Sequence, residues 1–186
     1  MQKETTLMKK TALLVVDVQT CMVRDNPYRQ ALLIDTIKQL LEAFRNSKGT
    51  IIYVRHNEDG DPDFALGSPG WQIYSEIAPQ EGELIVEKQF NSSFKATFLE
   101  AHLKNLGITD IILVGMQTEY CIDATCKSAF EKGFSLTIPE EGHSTFDNDF
   151  MTAEQTHAYF SKKIWNKRYA RVIPFKKVLE EVMETI

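Results

Sequence analysis

Two hydrophobic rhythms alternate along the chain. Short, apolar-rich segments occur at 12–16, 50–54, 84–86, 111–114, 134–138 and 171–173, unbroken at 12–16, 84–86 and 111–114. Runs of that length without polar alternation predict strands buried on both faces. Between them the apolar residues fall at helical spacing. Leu32, Leu33, Ile37, Leu40, Leu41 and Phe44 trace one helix stopped at Gly49. Phe94, Phe98, Leu99, Leu103 and Leu106 trace another, with Ser92 or Ser93 as cap and Gly107 at its end. A third carries Cys121 in its first turn and continues through Ile122, Cys126, Ala129 and Phe130, and 153–165 is also helical in pattern. This alternation predicts an α/β, single-domain three-layer sandwich: a six-stranded, mostly parallel sheet with helices on both faces. Residues 57–79, punctuated by Gly60, Pro62, Gly67, Pro69 and Gly70, predict a long surface loop, a kind of loop that often carries function.

Composition narrows the partners. The 186 residues suit one domain, expected over 11–186 after a polar tail at 1–10, with Met8 as an alternative start. Twenty-one basic against 26 acidic residues give a net charge of −5 without a basic block, so nucleic acid and anionic membrane are not expected partners. Three cysteines without a Cys-x-x-Cys pair make neither a disulfide framework nor a zinc motif. The polar start and the lack of a long apolar run predict a cytoplasmic protein.

In an open parallel sheet, ligands bind at the carboxyl ends of the strands. Asp17 follows the first apolar run, Lys88 the third, and Cys121 the polar turn after the fourth. A helix N-terminus favours a thiolate by about 0.3–1 kcal/mol, less than one pKa unit. Activation therefore calls for a further charge or base, and Lys88 is expected to supply the cation. Asp17 is suited to take the thiol proton, protonate a leaving amine and then activate water. Each residue alone has an ordinary structural reading: a turn former, a solvated charge, an inert thiol.

Three segments carry a family resemblance: Leu14-Val15-Val16-Asp17-Val18-Gln19, Lys88 ahead of Phe90 and Ser93-Phe94, and Gly115-Met116-Gln117-Thr118-Glu119-Tyr120-Cys121. Together they resemble the isochorismatase-like cysteine hydrolases, a family that includes nicotinamidases, N-carbamoylsarcosine amidases and streptothricin hydrolases. The resemblance implies Cys121 as nucleophile, Asp17 as general base and acid, and Lys88 as their electrostatic partner. It further implies a cis peptide between Met116 and Gln117, an oxyanion hole from the Gln117 and Cys121 backbone N–H groups, no cofactor, and a homo-oligomer.

Departures from the family patterns shape the expected substrate. The Asp-x-His…His metal site of nicotinamidases is replaced by Arg55-His56-Asn57-Glu58-Asp59, so no metal is expected, although His56 with Asp59 and Asp61 is a partial match. Isochorismatases proper cleave a vinyl ether without a nucleophilic cysteine, and Cys121 favours an acyl carbon instead. Together with Gly67-Ser68-Pro69-Gly70-Trp71, the cysteine turn is most similar to the streptothricin-hydrolase-like branch, which implies a small amide or lactam. His143, after the fifth segment, competes with Asp17 as base, or acts as a substrate contact or a structural hydrogen-bonder. Gln19 and Arg55 are candidate polar anchors, and Phe64, Trp71, Phe90 and Tyr120 candidate apolar walls. Cys126 is expected in the core, and Cys21 near the site. Two other classes stay open: a thiol-redox protein pairing Cys121 with Cys21 or Cys126, and a binding module without turnover.

Overall fold

The computed structural model describes residues 11–184, so the expected tail at 1–10 lies outside the described residues. The strands are β1 (Thr11–Val16), β2 (Thr50–His56), β3 (Leu84–Lys88), β4 (Asp110–Met116), β5 (Ser135–Pro139), β6 (His143–Ser144) and β7 (Arg171–Ile173). The sheet order is β3-β2-β1-β4-β5-β7, and β6 pairs with β4. Every ladder between these strands is parallel. The sheet thus has one strand more than the six expected from the sequence. Two residues are too short for a hydrophobic run to reveal, and β6 exists because the His143 backbone continues the β4 edge beyond β5.

Side-chain alternation on the buried strands builds two cores. Ala12, Leu14 and Val16 pack with Leu99 and Leu103 of α3 (Leu99–Asn105) and with Cys126 and Ala129 of α4 (Asp123–Glu131). Leu13 and Val15 face the other way, onto Leu33, Ile37, Leu40 and Phe44. These four belong to α2 (Gln30–Asn46), which follows the short α1 (Thr20–Arg24). Val178 and Val182 of α6 (Phe175–Met183) join that second core. Each fully buried aliphatic side chain contributes about 1.5–3 kcal/mol, so the two faces anchor the strand ends firmly. No helix among the described residues is long and apolar enough to cross a membrane.

Two local expectations are corrected and a third is refined. The helix expected from Phe94 starts at Leu99, because Ala96 is left-handed (φ 57) and Ser92 and Ser93 are bonded instead to Ser128 and Thr125 of α4. Gly49 does not supply the backbone reversal after α2. Lys48 does, at φ 55, while a Cβ on Gly49 would meet the Phe44 ring at 2.7 Å. The helical stretch over 153–165 divides into α5 (Ala153–Tyr159), opened by a Thr152–Gln155 capping box, and a π-helical segment Phe160–Trp165.

One glycine fixes the approach of the two central strands. Gly115 has φ +136, and a Cβ there would sit 2.0 Å from the Val16 carbonyl oxygen. Gly115→Ala is therefore expected to force β1 and β4 apart and cost about 2–3 kcal/mol. A urea midpoint unchanged from wild type would refute this.

Candidate active site

The sheet order reverses between β1 and β4, which makes the carboxyl ends of those strands the topological switch point. Asp17 leaves β1 in a left-handed conformation (φ 53), with its N–H donating to the Val54 carbonyl at 2.9 Å. The β2–β3 register sets His56 opposite Lys88, so His56 stands between the third strand and the first. The wholly buried Lys88 ammonium lies 2.6 Å from Asp17 Oδ2, 3.3 Å from Cys121 Sγ and 3.4 Å from His56 Nδ1. An ammonium has three N–H donors and no acceptor, so it has one donor for each of these partners. The Asp17 contact is a buried ion pair. With Nδ1 accepting from Lys88, the His56 proton belongs on Nε2, which faces Glu58 at 3.6 Å.

Cys121 sits in a π-helical turn, Thr118–Ile122, ahead of α4 rather than in the first turn of an α-helix. Such turns recur at functional sites. The Met116–Gln117 peptide that leads into the turn is cis. The N–H groups of Tyr120 and Ile122 both donate to the Gln117 carbonyl, at 3.2 and 3.1 Å. Burial, and then the Asp17 charge, push the Cys121 thiol up to about 12, against the opposing pull of Lys88. The helix-terminus and lysine contributions expected from the sequence are thus opposed by burial and by the Asp17 charge. Burial works against the Lys88 ammonium, but Asp17 and then Cys121 outweigh it and hold it above the usual lysine range.

Cys121 opens into a pocket of about 160 Å³ lined by Asp17, Met22, His56, Glu58, Phe64, Asn91, Met116, Gln117 and Tyr120. Larger grooves of about 700 and 730 Å³ lie at the amino ends of β5 and β7 and of β2 and β3, away from the reactive groups. Volume alone would point to the wrong end of the sheet.

Of the residues expected to contact substrate, Phe64 and Tyr120 line this pocket and five do not, among them Phe90, whose ring lies under Lys95 Nζ at 4.0 Å. Gln19 is fully buried, and its amide holds the His56 backbone at both ends: Oε1 accepts from the His56 N–H and Nε2 donates to the His56 carbonyl, each at 2.9 Å. Gln19 Nε2 also donates to the Trp71 carbonyl. Arg55 pairs with Glu87 at 2.6 Å and stacks 3.3 Å above the Trp71 ring, which takes both Arg55 and Trp71 out of the pocket. His143 is buried behind the cysteine turn. Its Nδ1 bonds Thr118 Oγ1 and its Nε2 bonds Ser161 Oγ, each at 2.8 Å, and burial holds it well below the usual histidine range. It therefore braces Thr118 rather than facing Cys121.

The pocket also contains residues that motif reasoning passed over: Met22, Asn91 and, as a wall, Glu58. Asn91 Oδ1 lies 3.9 Å from Cys121 Sγ, and its place three residues after Lys88 is the only sequence signal for it. His56 was legible only as a partial metal ligand. Asp61, named with it, instead accepts from the backbone of Asp63 and Phe64. Cys21 and Cys126 are free and buried, and burial pushes them up to about 11 and about 12.

A thiol, a carboxylate and an amine gathered at the switch point of a parallel α/β sheet form an arrangement chemically suited to nucleophilic attack with proton transfer. Residues 11–171 match the isochorismatase domain. The Bacillus subtilis protein YddQ, an uncharacterised member of the isochorismatase family, is 30% identical over 87% of this chain and 94% of its own. Streptothricin hydrolase of Streptomyces noursei is 32% identical over 73% of this chain, which spans half of that protein's length. An isochorismatase-family crystal structure from Chromobacterium violaceum superposes with a TM-score of 0.87 at 29% identity, covering 94% of both chains. The chain belongs to the isochorismatase family and is a hydrolase.

Proposed function

We propose that the protein hydrolyses a small amide or lactam through a thioester on Cys121. The observation that carries this reading is the Lys88 ammonium, 2.6 Å from Asp17 and 3.3 Å from Cys121. Asp17 takes the thiol proton as sulfur attacks the amide carbon, so no standing thiolate is needed. The tetrahedral oxyanion is held by the Gln117 and Cys121 N–H groups, where one such donor is worth about 2.7–4 kcal/mol. Collapse breaks the C–N bond, and Asp17 passes its proton to the departing amine. The Asp17 carboxylate then takes a proton from water as that water attacks the thioester. When the C–S bond breaks, Asp17 returns the proton to sulfur and the acid leaves. Lys88 stays protonated throughout and offsets whichever of Asp17 or sulfur carries the negative charge. A thiol adds to a carbonyl carbon readily and to a vinyl ether poorly, which favours this reading over vinyl-ether cleavage.

The test is a panel of small amides and lactams, followed by amine release and by intact mass after acid quench. The expected result is an acyl adduct on the Cys121 peptide and no turnover by Cys121→Ala. Undiminished turnover by that variant would falsify the assignment.

A further inference from the structure

The charges around the pocket are unevenly distributed. Two carboxylates, Asp17 and Glu58, line it, and neither Lys nor Arg is among its lining residues. Asp17 is matched by the buried Lys88. Among the described residues Glu58 pairs with no lysine or arginine; its partner is His56 Nε2 at 3.6 Å, and its side chain is 62% exposed. Its position is nevertheless built. The Glu58 N–H donates to the Phe64 carbonyl at 3.1 Å, which closes the loop so that this carboxylate and the Phe64 ring share one wall. His56, clamped by Gln19, packs edge-on against the same ring at 5.5 Å between centroids. Tyr120, half-exposed, adds a second aromatic group. A carboxylate beside aromatic rings is the chemistry that recognises a cation or a strong N–H donor.

Size limits what enters. A cavity of about 150 Å³ encloses one benzene. The pocket here, at about 160 Å³, encloses a group of similar bulk. We infer that the substrate presents to Cys121 an acyl group of about that size bearing a cationic or N–H-rich substituent read by Glu58, and that carboxylate-bearing amides are rejected. This inference rests on the amide-hydrolase reading for its chemistry, but the charge preference can be measured without any amide.

The experiment compares alkylation of Cys121 by bromoethylamine, iodoacetamide and iodoacetate, each rate divided by that for a small free thiol. All three reagents react with the same thiolate population, so their ratios report the pocket's charge and not the ionisation of the thiol. In wild type at low ionic strength the cation-to-anion ratio is expected to exceed that of Glu58→Gln by about three- to tenfold, the range for one charge several ångströms away in a partly solvated site. Near 1 M salt, where screening acts within about 3 Å, the two ratios should converge. Glu58→Lys should invert the preference. Equal ratios for wild type and Glu58→Gln at low salt overturn the inference. The amide panel separates the two claims: if no amide acylates Cys121, the hydrolase reading falls on its own; if amides turn over but the ratios are flat, only the cation reading falls.

Discussion

Asp17→Asn is expected to slow amide turnover by about 10³–10⁴-fold, the upper range for loss of general acid–base catalysis, while making Cys121 easier to alkylate. The two effects run in opposite directions because Asp17 has two consequences for the thiol. In the resting enzyme its charge, after burial, helps push Cys121 up to about 12, while in the reaction it is the group that takes the proton. The asparagine keeps the shape and removes the charge. The buried Lys88 ammonium, 3.3 Å from sulfur, then has the thiolate as its nearest remaining anion. Each unit by which the thiol falls gives tenfold more thiolate at a pH below its pKa. At pH 8 the alkylation rate by iodoacetamide should therefore rise at least about tenfold. Burial, the larger cause, remains, so the inflection should still lie above that of a free cysteine. If alkylation and turnover fall together, Asp17 activates the resting thiol and the proposed order of proton transfer is wrong.

The difference between reading this chain and seeing it folded lies mainly in what strand order and register decide. The central strands were legible because burial on both faces leaves a continuous apolar signature, while β5 and β7, with exposed Ser135 and Arg171, show only short apolar-rich segments; the three reactive residues stood out because each follows an apolar run. Nothing in the sequence fixes which strands are neighbours. Register, not motif, makes His56 the partner of Lys88. Gln19 was visible as a polar residue near Asp17, but its role in clamping the His56 backbone depends on contacts 37 residues apart. Residue type and position point Arg55 and Trp71 towards the pocket, but their mutual stacking is a tertiary event that no local pattern signals. The environment of Cys121 is hidden from the sequence for a related reason. A helix terminus and a lysine are legible in sequence, whereas desolvation beside a second buried charge is not.

The buried pair also sets the largest expected effect on stability. Lys88 is wholly buried and Asp17 nearly so, and removing one member of such a pair strands the other charge out of water. Lys88→Met is expected to destabilise the protein by about 3–5 kcal/mol, the usual cost of breaking a buried ion pair from one side. At roughly 2–4 °C per kcal/mol for a domain of this size, the melting temperature should fall by about 6–20 °C. The double variant Lys88→Met with Asp17→Asn removes both charges, and because a neutral replacement of a buried pair is often isoenergetic, most of the loss should return while activity does not. The pH dependence has a definite sign. The folded-state ammonium is held above the usual lysine range, so its contribution is complete below that range and is lost as pH rises through the folded value. The wild-type melting curve should therefore drop on strongly alkaline titration by a component that Lys88→Met lacks. A double variant no more stable than Lys88→Met would show that Lys88 stabilises the fold by packing, with its charge secondary.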